Sequence, residues 1–96
     1  LRLRMLGKVD PPFAEQMLAA ARAAGFHNLL DLPGFIPREQ LPEAFSAAHV
    51  FAAPSRYEGG PGFVYLEAMA CELPVIGCSG SGAAEAIIEG QTGFLV

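Results

Sequence analysis

Cysteine is scarce in this 96-residue chain: Cys71 and Cys78 are too few and wrongly spaced for a disulfide framework or a Cys-x-x-Cys site. Their neighbours are apolar, so both read as reduced core thiols of a cytoplasmic protein. The two aspartates, Asp10 and Asp31, form no Asp-x-Asp pair that could hold a metal-bound diphosphate. His27 and His49 stand apart from any second His or Cys ligand, so neither reads as part of a metal site. Positive charge is thin as well. Six Lys and Arg, unclustered, face ten Asp and Glu for a net charge of −4, which argues against nucleic acid as a partner. No apolar run approaches the roughly 18 residues of a spanning helix. The opening "LRLRMLGKV" reads as a strand and not as a targeting signal. Neither a Gly-x-Ser-x-Gly hydrolase elbow nor a Gly-x-x-x-x-Gly-Lys-Ser/Thr phosphate loop is present.

What the chain has in excess is apolar surface: 52% of its residues are hydrophobic. A chain this short has much surface for its volume and ordinarily carries more polar residues. Strands covered on both faces account for the excess, as does a chain that has lost a segment it should pack against. The final "GFLV" is an apolar strand with nothing after it, and we expect a truncated domain.

Strand and helix patterns alternate. A strand over 1–9 breaks at Gly7; Pro11 and Pro12 open a helix over 12–24, with Phe13, Met17, Leu18 and Ala21 on one face and Gly25 as its stop. A strand over 27–35 ends at Pro33 and Gly34, and a helix over 38–49 carries Pro42 in its first turn. Strand 50–55, a glycine-rich loop 58–62, helix 62–71, strand 74–78, helix 83–89 and strand 93–96 complete the chain. Alternation of this kind predicts βαβ units: an α/β fold with a Rossmann-like parallel sheet and helices on both faces, as a single domain over 1–96.

Ligands of open parallel sheets bind beyond the carboxyl ends of the strands. Three loops fall on that rim, over 34–39, 55–63 and 78–85. In the middle one, Gly59, Gly60 and Gly62 give the backbone room for close approach. The helix that follows adds free N–H groups and the positive end of its dipole. This combination suits a diphosphate cradle; the alternative is a flexible turn. That helix, "GFVYLEAMAC", is apolar all round except for Tyr65 and Glu67, a pattern that predicts burial. A buried Glu67 needs water, a partner or a ligand, and its two oxygens suit the vicinal hydroxyls of a ribose. The alternative is an exposed Glu67 beside water. Glu58, at the loop entrance, suits sugar hydroxyls or a charge developing at a sugar carbon, or else is a solvated turn residue. In "GSGAAE" (80–85), Glu85 stands where a dinucleotide fingerprint has its third glycine, so that site is set aside. Ser81 there is a candidate helix cap.

The stretch "PSRYEGGPGFVYLEAMACELPVIG", followed by "EGQTGFLV", resembles the donor-binding end of the retaining family 4 glycosyltransferases. The segment "GFIPREQLPEAFSAAHVFAAPS" is similar to what precedes it in the same family. The resemblance covers residues 30–96 and, more loosely, 1–29. It implies the GT-B fold of two Rossmann-like domains, and metal-independent transfer of a hexosyl group from a nucleotide-diphosphate sugar, with no cofactor besides that sugar donor. It maps the family's Glu-x7-Glu motif onto Glu58, the catalytic candidate that contacts the donor sugar, and Glu67, on the ribose. The backbone between them, at Gly59, Gly60, Gly62, Phe63 and Val64, would lie near the sugar and diphosphate, and Phe35 and Ile36 against the base. The partners implied are the sugar donor and an N-terminal domain of the same enzyme, with room for peripheral membrane association of the parent. Eight residues, not seven, separate Glu58 from Glu67; Glu72 replaces the usual glycine after the helix; His49 stands where Asp is common. By itself the fragment is not expected to catalyse. The competing readings are a nucleotide-sugar 2-epimerase of the same architecture and a non-catalytic α/β module that binds a protein.

Overall fold

The computed structural model describes residues 1–56 and 62–96, and the chain divides into two compact units, Leu1–Arg38 and Glu39–Val96. Every strand pair in both units is parallel, as the alternation predicts.

In the first unit, β1 (Leu3–Leu6) pairs with β2 (Leu30–Gly34), with the register irregular between Arg4 and Leu6. Arg4 Nε lies 3.0 Å from Asp31 Oδ2 across this pair. Both side chains are about half exposed, so the ion pair contributes only a few tenths of a kcal/mol. The crossover is α1 (Pro11–Ala23). Two prolines at its start fit the first turn, where no N–H is needed. It ends where the Phe26 N–H donates to Ala21 O at 2.9 Å and the Gly25 N–H to Arg22 O at 3.1 Å, with Gly25 at φ +80°. Ala21, Met17 and Leu18 face inward as expected, but Phe13 stays nearly half exposed.

The second unit contains a three-stranded sheet in the order β3 (Phe51–Ala53), β4 (Val75–Gly77), β5 (Gly93–Leu95). Its register aligns Phe51, Val75 and Gly93 on one face and Ala52, Ile76 and Phe94 on the other. The first face is the core. Three helices add to that core, α2 (Leu41–Ser46) with Phe45, α3 (Phe63–Ala70) with Tyr65 and Ala68, and α4 (Ala83–Ala86) with Ala83, and the segments after α3 and α4 add Leu73 and Ile87. Phe45, Phe51 and Tyr65 stack edge to face at centroid separations of 5.5 and 5.8 Å.

Two helices are shorter than their sequence patterns predict. The helix expected over 38–49 is a 3₁₀ turn at Arg38–Gln40 followed by α2, which tightens at its end as the Ala48 N–H reaches back only three residues to Phe45. The helix expected over 83–89 stops at Ala86 because Ile87 turns to extended backbone, where it is 5% exposed. The Ile88 N–H then goes to Thr92 Oγ1 at 2.9 Å. Burial of one isoleucine and a side-chain acceptor outcompete another helical turn.

The end of α3 carries a strained residue. The Leu73 N–H donates to Ala68 O and the Glu72 N–H to Met69 O, so Glu72 occupies the left-handed position that glycine usually fills, at φ +63°. Its carboxylate also lies at the negative end of the helix dipole. Glu72→Gly is expected to raise the unfolding free energy by about 1 kcal/mol, the steric relief exceeding the added chain entropy. Urea titration of the two forms measures it; an unchanged or lowered midpoint contradicts this account.

Candidate functional site

At the carboxyl ends of β3 and β4 the chain enters two turns. After β3 it runs through Pro54, Ser55 and Arg56, all exposed, and after Gly62 it enters α3. The sequence candidates Glu58, Gly59 and Gly60 lie outside the described residues. Gly62 caps α3 with φ +68°, a left-handed backbone that a side chain disfavours. This turn presents the N–H groups of Phe63 and Val64 at the positive end of the helix, ahead of the first donor of the helix, the Tyr65 N–H bonded to Gly62 O at 3.0 Å.

Side chains of α3 divide sharply. Tyr65 and Ala68 are fully buried, and Val64 and Met69 pack partly against the same core. Phe63 is 74% exposed and Leu66 43% exposed on the outer side. The uniformly apolar pattern therefore misleads: the helix is buried along one stripe, and its polar-tipped Tyr65 is the most enclosed residue. The reason is a partner for the hydroxyl, which donates to the Ala53 carbonyl at the end of β3. Sequence reading missed this anchor. An aromatic hydroxyl on an otherwise apolar helix was the available signal.

Glu67 is half-buried, one turn after Phe63 and on the same side of the helix. The structure thus brings Gly62, Phe63, Val64 and Glu67 together at the head of α3. A carboxylate one turn from a set of free N–H groups suits a ligand with an anionic part and neighbouring hydroxyls. Ile36 belongs to the first unit. It is half-buried, after a left-handed Gly34 at φ +82° and Phe35 at 68% exposure.

The turn after β4 is stiffened by Ser81. Its hydroxyl donates to Cys78 O at 2.9 Å and accepts the Ala83 N–H at 3.2 Å, but the cap position itself is Gly82, so Ser81 braces the turn one residue before the cap and is not the cap that the sequence predicts. Cys71 and Cys78 are free thiols and half-buried. An open groove of about 310 Å³ lies at the other end of α3, lined by Met69, Glu72, Leu73, Pro74, Gln91 and Thr92. It stands at the amino end of β4, away from the strand termini where ligands of parallel sheets bind, so it is not the candidate site. Among the described residues, no group of three His, Cys, Asp or Glu is placed to hold a metal ion, and no helix is long and apolar enough to cross a membrane.

The family model of the glycosyl transferases group 1 matches residues 1–96. The chain is 37% identical over 91 residues to a GDP-mannose-dependent alpha-(1-6)-phosphatidylinositol monomannoside mannosyltransferase of Mycolicibacterium smegmatis, covering 88% of this chain and 24% of that protein. It is 41% identical over 83 residues to alpha-maltose-1-phosphate synthase of the same organism, covering 86% and 20%. Among solved structures, HepE of Anabaena in complex with UDP superposes with a TM-score of 0.87 at 25% identity, covering 100% of this chain and 27% of that one. The chain spans about a quarter or less of the length of these proteins.

Proposed function

The chain belongs to the group 1 glycosyl transferases, and on that premise we propose that it forms the sugar-donor-binding portion of a GT-B hexosyltransferase. The observation that carries the proposal is the head of α3: left-handed Gly62, the N–H groups of Phe63 and Val64, and half-buried Glu67 one turn on. The diphosphate of a nucleotide sugar lies against those N–H groups, and the ribose hydroxyls donate to the Glu67 carboxylate. Ile36 as a base contact, Gly59 and Gly60 along the diphosphate, and Glu58 at the donor sugar rest on the family resemblance.

In transfer, the bond between the sugar carbon and the diphosphate oxygen breaks, and the diphosphate leaves with the electron pair. The acceptor hydroxyl oxygen forms the new bond, and its proton passes to the departing diphosphate. N–H groups aimed at the diphosphate stabilise the charge that grows on it as it departs. Retention at the sugar carbon, independence of metal and of any cofactor, and an acceptor site on an N-terminal domain are parts of the same proposal. Free, half-buried cysteines support a cytoplasmic setting. The mannosyltransferase relative is named for a phosphatidylinositol mannoside, which supports peripheral association of the complete protein with a membrane surface.

The test is an assay of the complete protein carrying these 96 residues with UDP-glucose, GDP-mannose and ADP-glucose; UDP and GDP are the nucleotides that the relatives' names provide, and ADP extends the set. We expect calorimetric binding of one of them and a glycoside product with retained configuration. Free epimerised sugar without glycoside shows a 2-epimerase, and absence of binding to all three shows a non-catalytic module; either result overturns the proposal.

A further inference from the structure

The Ala53 carbonyl, at the last residue of β3, accepts two hydrogen bonds. The Ser55 N–H donates to it at 2.7 Å, turning the chain out of the strand, and the Tyr65 hydroxyl donates to the same oxygen. One atom therefore joins the turn that leaves β3 to the first turn of the helix that bears Glu67. The Tyr65 ring is held on several sides. It is 0% exposed, edge-on to Phe51 at 5.8 Å, and so close to β4 that a Cβ added at Gly77 would stand 3.4 Å from its Cζ. A phenylalanine would fill the same space without burying a hydroxyl, so packing alone does not account for tyrosine here.

We infer that Tyr65 is a positioning residue for the sugar-donor site. Its bond to Ala53 fixes the head of α3, with the Phe63 and Val64 N–H groups and Glu67, against the carboxyl end of β3. The inference rests on the donor-site reading above. The N–H groups and Glu67 act on different parts of one ligand, so a small shift of the helix misaligns them together, and small misplacements are costly at such sites.

Tyr65→Phe in the complete protein is expected to raise KM and Kd for the nucleotide sugar about fivefold, the size of one lost hydrogen bond, with the acceptor KM unchanged. A merely structural role predicts otherwise. Fewer folded molecules would lower the maximal rate and leave the donor KM where it was, and that result overturns the inference. If the phenylalanine form fails to fold, site-specific 4-fluorophenylalanine at position 65 decides the matter. It nearly fills the space of the hydroxyl but has no proton to donate, so the donor KM should rise as with phenylalanine. A donor KM equal to that of the wild type overturns the inference. Failure of the wild-type protein to bind any of the three sugar donors would sink the donor-site reading itself, a separate outcome from an unaltered Tyr65→Phe.

Discussion

Glu67→Ala in the complete protein is expected to weaken nucleotide-sugar binding by about 30- to 100-fold, or about 2–3 kcal/mol, the range for charge-assisted hydrogen bonds to a half-buried carboxylate. The loss should be as large for the free nucleoside diphosphate as for the nucleotide sugar, because the contact proposed is with the ribose and not with the transferred hexose. Glu67→Gln should fall between, since an amide retains one acceptor oxygen and loses the charge. Glu85→Ala, an exposed position on α4, serves as the control and should bind like the wild type. Isothermal titration of all four forms, with circular dichroism to confirm folding, makes the comparison. Wild-type affinity in Glu67→Ala would remove the carboxylate from the site. A loss seen only with the complete nucleotide sugar would move it from the ribose to the hexose.

The pattern of local signals was enough for the order of elements and the parallel pairing, because those follow from short-range chemistry. Proline at the start of α1 and Gly25 at its end bracket that helix to within a residue or so. The strands are short, apolar and separated by helices, which leaves parallel crossover as their connection. Places where the reading failed are those decided by tertiary contacts. No local rule says that Ile87 leaves α4 to enter the core, or that Thr92 accepts the Ile88 N–H. The burial of α3 shows the same limit. A helix apolar on nearly every side offers little moment from which to read its inner face, and Tyr65 lies inward with its hydroxyl on the Ala53 carbonyl.

For the site, the head of α3 was readable since glycine, free N–H groups and a carboxylate carry meaning through backbone geometry and charge. Gly62 is left-handed and Glu67 half-buried, both in keeping with the role proposed. The part of the motif that includes Glu58, Gly59 and Gly60 lies outside the described residues and keeps only the support of the resemblance.

Gly93→Ala should cost about 3 kcal/mol or more and abolish cooperative unfolding of the second unit. Gly93 is the first residue of β5, paired in register with Val75 of β4. A Cβ built there would lie 2.0 Å from the Val75 carbonyl oxygen and 2.8 Å from Val75 Cγ2. The first contact is with backbone, which has no rotamer to yield, so β5 must withdraw from the sheet to admit the methyl. Withdrawal breaks more than one pairing. The Val75 N–H donates to Thr92 O beside it, and the Leu95 N–H donates to Glu89 Oε2 at 2.7 Å further along, so both would be strained. Val75 is the fully buried centre of the core and would lose contacts as β5 moves. Gly90→Ala provides the contrast. That glycine has a left-handed φ of +74° but open space around its missing Cβ, so the cost should stay near the 1–2 kcal/mol of backbone strain alone. Thermal and urea unfolding of both variants tests the ranking. A Gly93→Ala protein as stable as Gly90→Ala would mean that β5 leaves room beside β4 for a methyl group, and the pairing of Gly93 with Val75 would have to be redrawn.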